Sequence, residues 1–284
     1  MATLVGFTAI LMWSLLALFT AASGTMPPFQ LLAITLAIGG LIGAVSWTWR
    51  RGAAAALIQP WPVWLLGVGG LFGYHFFYYT ALRNAPPVEA GLIAYLWPLL
   101  IVVFSALLPG ERLRWFHIAG ALLGLAGTAL IVTGGRGFTL EAQHSLGYLA
   151  AGVCALTWSS YSILSRRFKA VPTDVVAGFC LAGAALSALC HLAFETTVWP
   201  ETAGQWLAVA ALGLMPVGAA FYVWDFGVKR GDIQVLGAAS YAAPLLSTLV
   251  LIAFGFGAAS WIIAIACLLI TGGAALAAKD LFRR

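Results

Sequence analysis

The stretch AYLWPLL, Ala94 to Leu100, recurs 146 residues later as SYAAPLL, Ser240 to Leu246. The match places Tyr95 on Tyr241 and Pro98 on Pro244. Two such copies within one chain indicate an internal repeat, which is a feature of the whole architecture rather than of one element.

A second anchor lies near the start of each half. MWSLLAL, from Met12, resembles TWSSYSI, from Thr157, at an offset of 145 residues, which aligns Trp13 with Trp158. Because the two anchors share nearly one offset, the chain is predicted to consist of two related halves, residues 1–137 and 138–284.

Both anchors lie in long apolar runs. The 284-residue chain is 62% hydrophobic and only 8% charged, with a mean hydropathy of +0.99. It therefore has too few polar side chains to cover a water-facing globule. Its charges fall in short clusters between apolar stretches of about 20 residues, the length at which an α-helix crosses about 30 Å of hydrocarbon. The composition predicts a multi-pass membrane protein surrounded by lipid.

The apolar stretches define the predicted spans. Because lipid offers the backbone no hydrogen-bond partner, each span must be a helix, and the fold class is all-α. Ten spans are predicted, at residues 4–22, 29–49, 61–82, 88–108, 115–134, 147–165, 173–194, 204–227, 233–254 and 259–278.

The basic residues predict the orientation. With both termini in the cytoplasm, 12 of the 14 Lys and Arg residues lie on the cytoplasmic side, as the positive-inside rule requires. These residues are Arg50, Arg51, Arg112, Arg114, Arg166, Arg167, Lys169, Lys229, Arg230, Lys279, Arg283 and Arg284, while Arg83 and Arg136 lie outside.

The number of spans sets how the two halves are related. Five spans per half is an odd number, so the second half enters the membrane from the opposite side and the repeat is inverted. Inverted repeats are typical of secondary transporters, in which substrate binds near the midplane between the halves.

An aromatic run, YHFFYY from Tyr74 to Tyr79, lies inside the third span. At 100° per residue, Tyr74, His75, Tyr78 and Tyr79 fall within an arc of about 140° on a helix. Buried phenols and imidazoles need polar partners or a wet cavity, so this face is predicted to line a pathway. The alternatives are an aromatic belt at the membrane interface or satisfied packing.

The repeated Pro98 and Pro244 lie in the middle of the fourth and ninth spans. Proline removes a backbone donor and kinks a helix, so paired bends that flank a central site are predicted, with a purely structural kink as the alternative. Asp225 and Lys229 are predicted to form an i, i+4 pair. His75 is then the deep titratable group, and strong proton coupling is not indicated.

Other site classes lack support in the sequence. The four cysteines show no close CxxC spacing, and they are interpreted as small apolar side chains. The basic residues lie at span ends rather than in a stripe, which argues against nucleic-acid binding. No HExxH, Asp-rich motif or Ser/His/Asp set supports an intramembrane enzyme, and no metal or cofactor is expected.

Ten spans in two inverted halves, a MWS-like start, the prolines of the fourth and ninth helices, and LPGER after the fourth span resemble the drug/metabolite transporter superfamily, EamA-type. The aromatic run and YLWP resemble its bacterial aromatic amino-acid exporters. The resemblance implies inner-membrane efflux through a basket of helices around a central cavity. Many relatives carry an acidic residue after the ninth helix, whereas this chain has GFGAAS there. The implied substrate-binding residues are His75, Tyr78, Tyr95, Trp97, Pro98, Trp158, Ser240, Tyr241 and Pro244.

These observations predict export of aromatic or other large neutral amino acids by alternating access, with rings for stacking and no fixed deep charge, as suits a zwitterion. Efflux of lipophilic cations or drugs, through cation-π contacts with the same rings, is the alternative. Gly120 and Gly124 could pack helices within one chain or between two, so the oligomeric state stays open.

Overall fold

A computed structural model describes residues 1–50, 52–255, 258 and 260–279. These residues form helices joined by short connections, without β-strands, which confirms the all-α prediction. Arg51, Arg283 and Arg284, part of the GFGAAS segment and the predicted start of the last span at Ala259 lie outside the described residues.

The helices follow the predicted spans within a few residues. They are labelled α1 (Ala2–Ala22), α2 (Pro28–Ser46), α3 (61–84), α4 (Pro87–Leu107), α5 (Trp115–Thr133), α6 (Ser145–Ser165), α7 (Thr173–Phe194), α8 (Ala203–Arg230), α9 (Ile233–Ala253) and α10 (Trp261–Ala277).

Seven of the described helices are long and apolar enough to cross a membrane. They are α1, α2, α4, α5, α7, α8 and α9, and α10 is a shorter apolar helix. The helices α3 and α6 carry more polar side chains and fall outside this group. Their crossing of the membrane therefore stays a prediction.

Local sequence explains where several helices begin. Prolines start α2, α3 and α4, where the missing N–H has no intrahelical acceptor in any case. Asp232 caps α9, since its Oδ1 accepts hydrogen bonds from the N–H groups of Gln234 and Val235 at 3.1 and 3.0 Å.

The most extensive helix contacts join the two halves, among them α1 with α8, α2 with α7, α3 with α6, α4 with α6, and α5 with α10, while α4 also contacts α9. Glycines bring two of these pairs close together. A Cβ on Gly6 of α1 would lie 3.0 Å from the Cα of Gly227 of α8, and a Cβ on Gly120 of α5 would lie 2.4 Å from the carbonyl oxygen of Gly273 of α10. Gly120 therefore packs helices within one chain.

Five helices are interrupted near their middle. The helix α1 breaks between Trp13 and Leu16. The helices α3 and α8 each contain a π-helical turn, at Gly69–Gly73 and Met215–Ala219. The helix α4 breaks between Ala94 and Trp97, and α9 breaks between Ala239 and Ala242. In α4 and α9 the break comes just before Pro98 and Pro244, as predicted, because a proline ring clashes with the carbonyl four residues earlier.

Candidate functional site

Four tryptophans from four helices meet in the interior. Trp13 of α1, Trp97 of α4, Trp158 of α6 and Trp224 of α8 form the tryptophan cluster. Every pair of them has its ring centroids between 5.1 and 6.3 Å apart. Most of these pairs are edge-to-face or tilted, which are favourable aromatic geometries. Trp97, Trp158 and Trp224 are buried.

Hydrogen bonds fix two of the indoles. The Nε1–H of Trp13 donates to the carbonyl of Pro216 at 3.1 Å, within the π-helical turn of α8. The Nε1–H of Trp224 donates to Oγ of Ser162 at 3.1 Å. The cluster is therefore attached to α6 and α8 by polar contacts as well as by packing, and its rings are held in defined orientations.

The aromatic run of α3 forms a wall beside this cluster. The Tyr74 ring lies 5.5 Å from Trp158, and the Tyr78 ring stacks on Tyr74 at 6.0 Å. Both tyrosines are half-buried. The predicted face thus contacts the cluster, and Tyr78 extends it along α3.

His75 lies on the same wall with one nitrogen already engaged. Its Nδ1 is 2.7 Å from the carbonyl of Leu71, and its ring lies 6.3 Å from Phe221 of α8. Because a carbonyl can only accept, Nδ1 carries the proton, and Nε2 of the neutral ring is left as an acceptor.

The residues of the α4 break lie at the same level. Tyr95 is half-buried, while Trp97 belongs to the cluster. In a regular helix the carbonyl of Ala94 would accept a hydrogen bond from the N–H of the residue four positions later. That residue is Pro98, which has no N–H to donate.

The predicted residues of α9 occupy a different place. Tyr241 is fully buried, and its ring would meet a Cβ on Gly124 of α5 at 2.5 Å. Its hydroxyl accepts a hydrogen bond from the N–H of Leu99 at 3.2 Å, and Oγ of Ser240 donates to the carbonyl of Leu236 at 2.7 Å. Pro244 is buried within α9. Tyr241 and Ser240 thus satisfy backbone groups of α4 and α9.

Sequence reasoning missed part of the site. Trp224 and Phe221 were not predicted, although the offset of 146 residues carries Tyr78 onto Trp224 and His75 onto Phe221. Applying the offset to the aromatic run would have found both. Trp13, which the repeat aligns with Trp158, was not among the predicted binding residues, yet it contacts the other three members of the cluster.

The expectation that His75 is the deep titratable group was wrong. Asp225 and Lys229 form the predicted i, i+4 pair, with Nζ 2.9 Å from Oδ2, but their side chains are only 1% and 3% exposed. Periodicity places the two residues together on α8, whereas their burial depends on α6 and α7, which pack over them.

Glu195, after α7, is a second buried carboxylate, 3% exposed. It accepts hydrogen bonds from the backbone N–H groups of Phe29 and Gln30 at the start of α2, and from Arg83 at 2.9 Å. Its Oε2 is 3.1 Å from Nδ1 of His191. A carboxylate at a helix N-terminus is favourable, so Glu195 connects α2, α3 and α7 at one end of the bundle.

Comparisons with known proteins identify relatives over the whole chain. The model of the EamA-like transporter family matches twice, at residues 1–133 and 145–278. The chain is 62% identical over 279 residues to "Aromatic amino acid exporter YddG" of Ancylobacter novellus, covering 97% of this chain and 96% of the relative. It is 24% identical over 260 residues to the protein of the same name in Escherichia coli, covering 87% and 86% of the two chains.

A solved crystal structure supports the fold. It is 61% identical to this chain and superimposes with a TM-score of 0.94, covering 99% of this chain and 98% of the other.

Proposed function

Because the chain belongs to the EamA-like transporter family, we propose that it exports aromatic or other large neutral amino acids across the bacterial inner membrane by alternating access. Two relatives named as aromatic amino acid exporters support this substrate class. The observation that carries the proposal is the tryptophan cluster, where four helices from both halves bring indole rings together beside the tyrosine wall of α3.

The chemistry of this region suits an aromatic amino acid. Each aromatic pair contributes about 0.5 to 1.5 kcal/mol beyond the burial of its surface. A substrate ring that takes the place of one ring in the cluster forms a new aromatic pair and so recovers most of the energy of the contact that is lost. The Nε2 of His75 and the carbonyl of Ala94 supply acceptors for the substrate ammonium. Of the predicted residues, His75, Tyr78, Tyr95, Trp97, Pro98 and Trp158 are proposed to line the pathway, while Ser240, Tyr241 and Pro244 are proposed to shape it from α9.

An inverted repeat of ten membrane helices is proposed as the basis of alternating access. Exchange of the halves 1–137 and 138–284 would turn the α1–α8 pair into the α6–α3 pair and would map the pairs α2–α7, α4–α9 and α5–α10 onto themselves. All of these contacts are found, as are the contact of α4 with α6 and its counterpart, α9 with α1. The π-helical turns at Gly69–Gly73 and Met215–Ala219 lie at the offset of 146 residues, and the family model matches each half once.

Both termini are proposed to lie in the cytoplasm. Arg50, Arg112 and Arg167 follow even-numbered helices and Arg230 ends α8, whereas Arg136 follows α5. This distribution supports the proposed orientation through the positive-inside rule.

Uptake of labelled tryptophan into proteoliposomes tests the proposed function. The purified protein is expected to take up tryptophan, and unlabelled phenylalanine is expected to compete better than threonine. Inhibition by a lipophilic quaternary amine without inhibition by phenylalanine would instead support efflux of lipophilic cations. Uptake no greater than in protein-free liposomes would contradict the proposal.

A further inference from the structure

The buried ion pair of α8 begins one residue after Trp224 of the tryptophan cluster. Asp225 directly follows Trp224, and its Oδ2 accepts a hydrogen bond from the Thr173 hydroxyl at 2.8 Å as well as from Nζ of Lys229. Nζ of Lys229 also donates to the carbonyl of Val171 at 3.1 Å. The pair therefore faces the start of α7, and each charge has a partner.

A buried hydroxyl lies beside the pair. The hydroxyl of Tyr161 makes no hydrogen bond of ordinary length, and it lies close to Asp225 and Ser165. A buried hydroxyl without a well-formed hydrogen bond is energetically unfavourable. The ring of the same tyrosine lies 5.3 Å from Trp158, so this residue connects the charged pair to the cluster.

A small cleft separates these groups. Its volume is about 10 Å³, which holds about one water. Tyr161, Ser165, Asp225 and Lys229 are among the residues that line it, together with apolar side chains of α3 and α7. A cleft with a carboxylate, an ammonium and a hydroxyl has donors and acceptors for a ligand that carries both charges.

We propose that Asp225, Lys229 and Tyr161 form a second substrate site, which binds the zwitterionic head of an amino acid when the helices around the cleft separate. This inference rests on the proposed function and adds a site to it. The substrate ammonium replaces Lys229 on Asp225, the substrate carboxylate replaces Asp225 on Lys229, and the Tyr161 hydroxyl donates to that carboxylate. The adjacent Trp158 and Trp224 receive the aromatic side chain.

The charge balance of this exchange favours a zwitterion over other ligands. Removing one partner from a buried pair is strongly unfavourable, because the other charge is left unpaired in a medium of low dielectric constant. A zwitterion supplies both opposite charges at once, so neither Asp225 nor Lys229 loses its counter-charge. A simple cation or anion would satisfy one of them only.

The test combines changes in the protein with changes in the ligand. Inhibition of labelled tryptophan uptake into proteoliposomes is measured for unlabelled tryptophan, tryptamine, which lacks the carboxylate, and indole-3-propionate, which lacks the ammonium. Wild-type protein is expected to be inhibited best by tryptophan, because each analogue leaves one charge of the pair unmatched. Lys229→Gln is expected to weaken inhibition by tryptophan and indole-3-propionate about tenfold, the size of one charge-assisted hydrogen bond, and to leave inhibition by tryptamine equal or stronger. Asp225→Asn is expected to weaken tryptophan and tryptamine and to spare indole-3-propionate.

A double variant covers the case in which a single change unfolds the protein. Asp225→Asn with Lys229→Gln leaves no unpaired charge, so it is expected to fold. The three ligands are then expected to inhibit within about threefold of one another, because both charge contacts are gone. Glu111→Gln is the matched control. It removes the charge of Glu111, whose Oε1 lies 2.5 Å from Arg166, and neither residue lines the cleft, so the wild-type order of the ligands is expected to be preserved.

Two results would overturn this inference. One is an equal weakening of all three ligands in the single variants, which marks a structural role. The other is a folded double variant in which the three ligands inhibit uptake in the same order as in the wild type. This holds even if the pH dependence of uptake has changed. Wild-type protein that transports no tryptophan would instead count against the proposed function itself.

Discussion

At the scale of single residues, Trp158 makes the densest set of ring contacts in the site. It contacts six aromatic side chains: Trp13, Tyr74, Trp97, Tyr161, Phe221 and Trp224. These rings come from α1, α3, α4, α6 and α8, so a change in its size reaches most of the proposed pathway. Substitution by alanine would leave a large cavity, which makes phenylalanine the better probe.

We expect Trp158→Phe to lower the uptake of labelled tryptophan about tenfold, since it weakens several aromatic contacts worth about 0.5 to 1.5 kcal/mol each. Trp206→Phe is the matched control, because Trp206 is 44% exposed and stacks on Trp199 at the bundle surface. Equal uptake by the two variants would remove Trp158 from the pathway.

Tyr241 and Ser240 lead to opposite expectations although they are neighbours. Tyr241→Phe removes the acceptor of the Leu99 N–H and is expected to lower the free energy of unfolding by about 1 to 3 kcal/mol. Ser240→Ala removes a hydroxyl that bonds only to its own helix, at Leu236, and is expected to change stability by less than about 1 kcal/mol. Thermal unfolding in detergent measures both, and equal midpoints would contradict the role given to Tyr241.

At the scale of elements, the contact between α5 and α10 depends on the absence of side chains. A Cβ on Gly273 would lie 2.5 Å from the carbonyl oxygen of Gly120, whereas a Cβ on the adjacent Gly272 would meet nothing within 4 Å. The two glycines therefore have the same helical environment but different neighbours, and they form a natural pair of test positions.

Gly273→Ala is expected to destabilise the protein by about 1 to 3 kcal/mol, because the two helices must move apart. Gly272→Ala is expected to leave stability unchanged or to raise it slightly, since alanine is the better helix former. Thermal unfolding of both variants measures the difference. A Gly273→Ala protein as stable as Gly272→Ala would show that the helices do not approach each other this closely.

At the scale of the whole molecule, the proposed orientation is testable from outside the cell. Arg50, Arg112 and Arg136 are exposed, so a cysteine at each position can react with a membrane-impermeant maleimide. Arg136→Cys is expected to be labelled in intact cells, whereas Arg50→Cys and Arg112→Cys are expected to react only after the membrane is permeabilised. Labelling of Arg50→Cys in intact cells would reverse the orientation.

Local patterns were sufficient for the positions of the helices and for the bends at Pro98 and Pro244, because hydropathy, helix length and proline geometry act over a few turns. The aromatic face of Tyr74, His75 and Tyr78 was likewise readable, since it follows from the helical period alone. The residues of other helices that contact this face could not be predicted from the sequence. Which helix supplies Trp224 or Phe221 depends on how α3, α6 and α8 cross.

The amino-acid sequence was thus enough to indicate an all-helical membrane protein with an internal repeat and a ring-rich third helix. Helix packing determined three further features: the contact between the four tryptophans, the burial of Asp225 and Lys229, and the hydrogen bond that the Tyr241 hydroxyl accepts from a backbone N–H. The reason is physical. Periodicity fixes the side of its own helix on which a residue lies, whereas burial and contact depend on neighbouring helices that are distant in the chain.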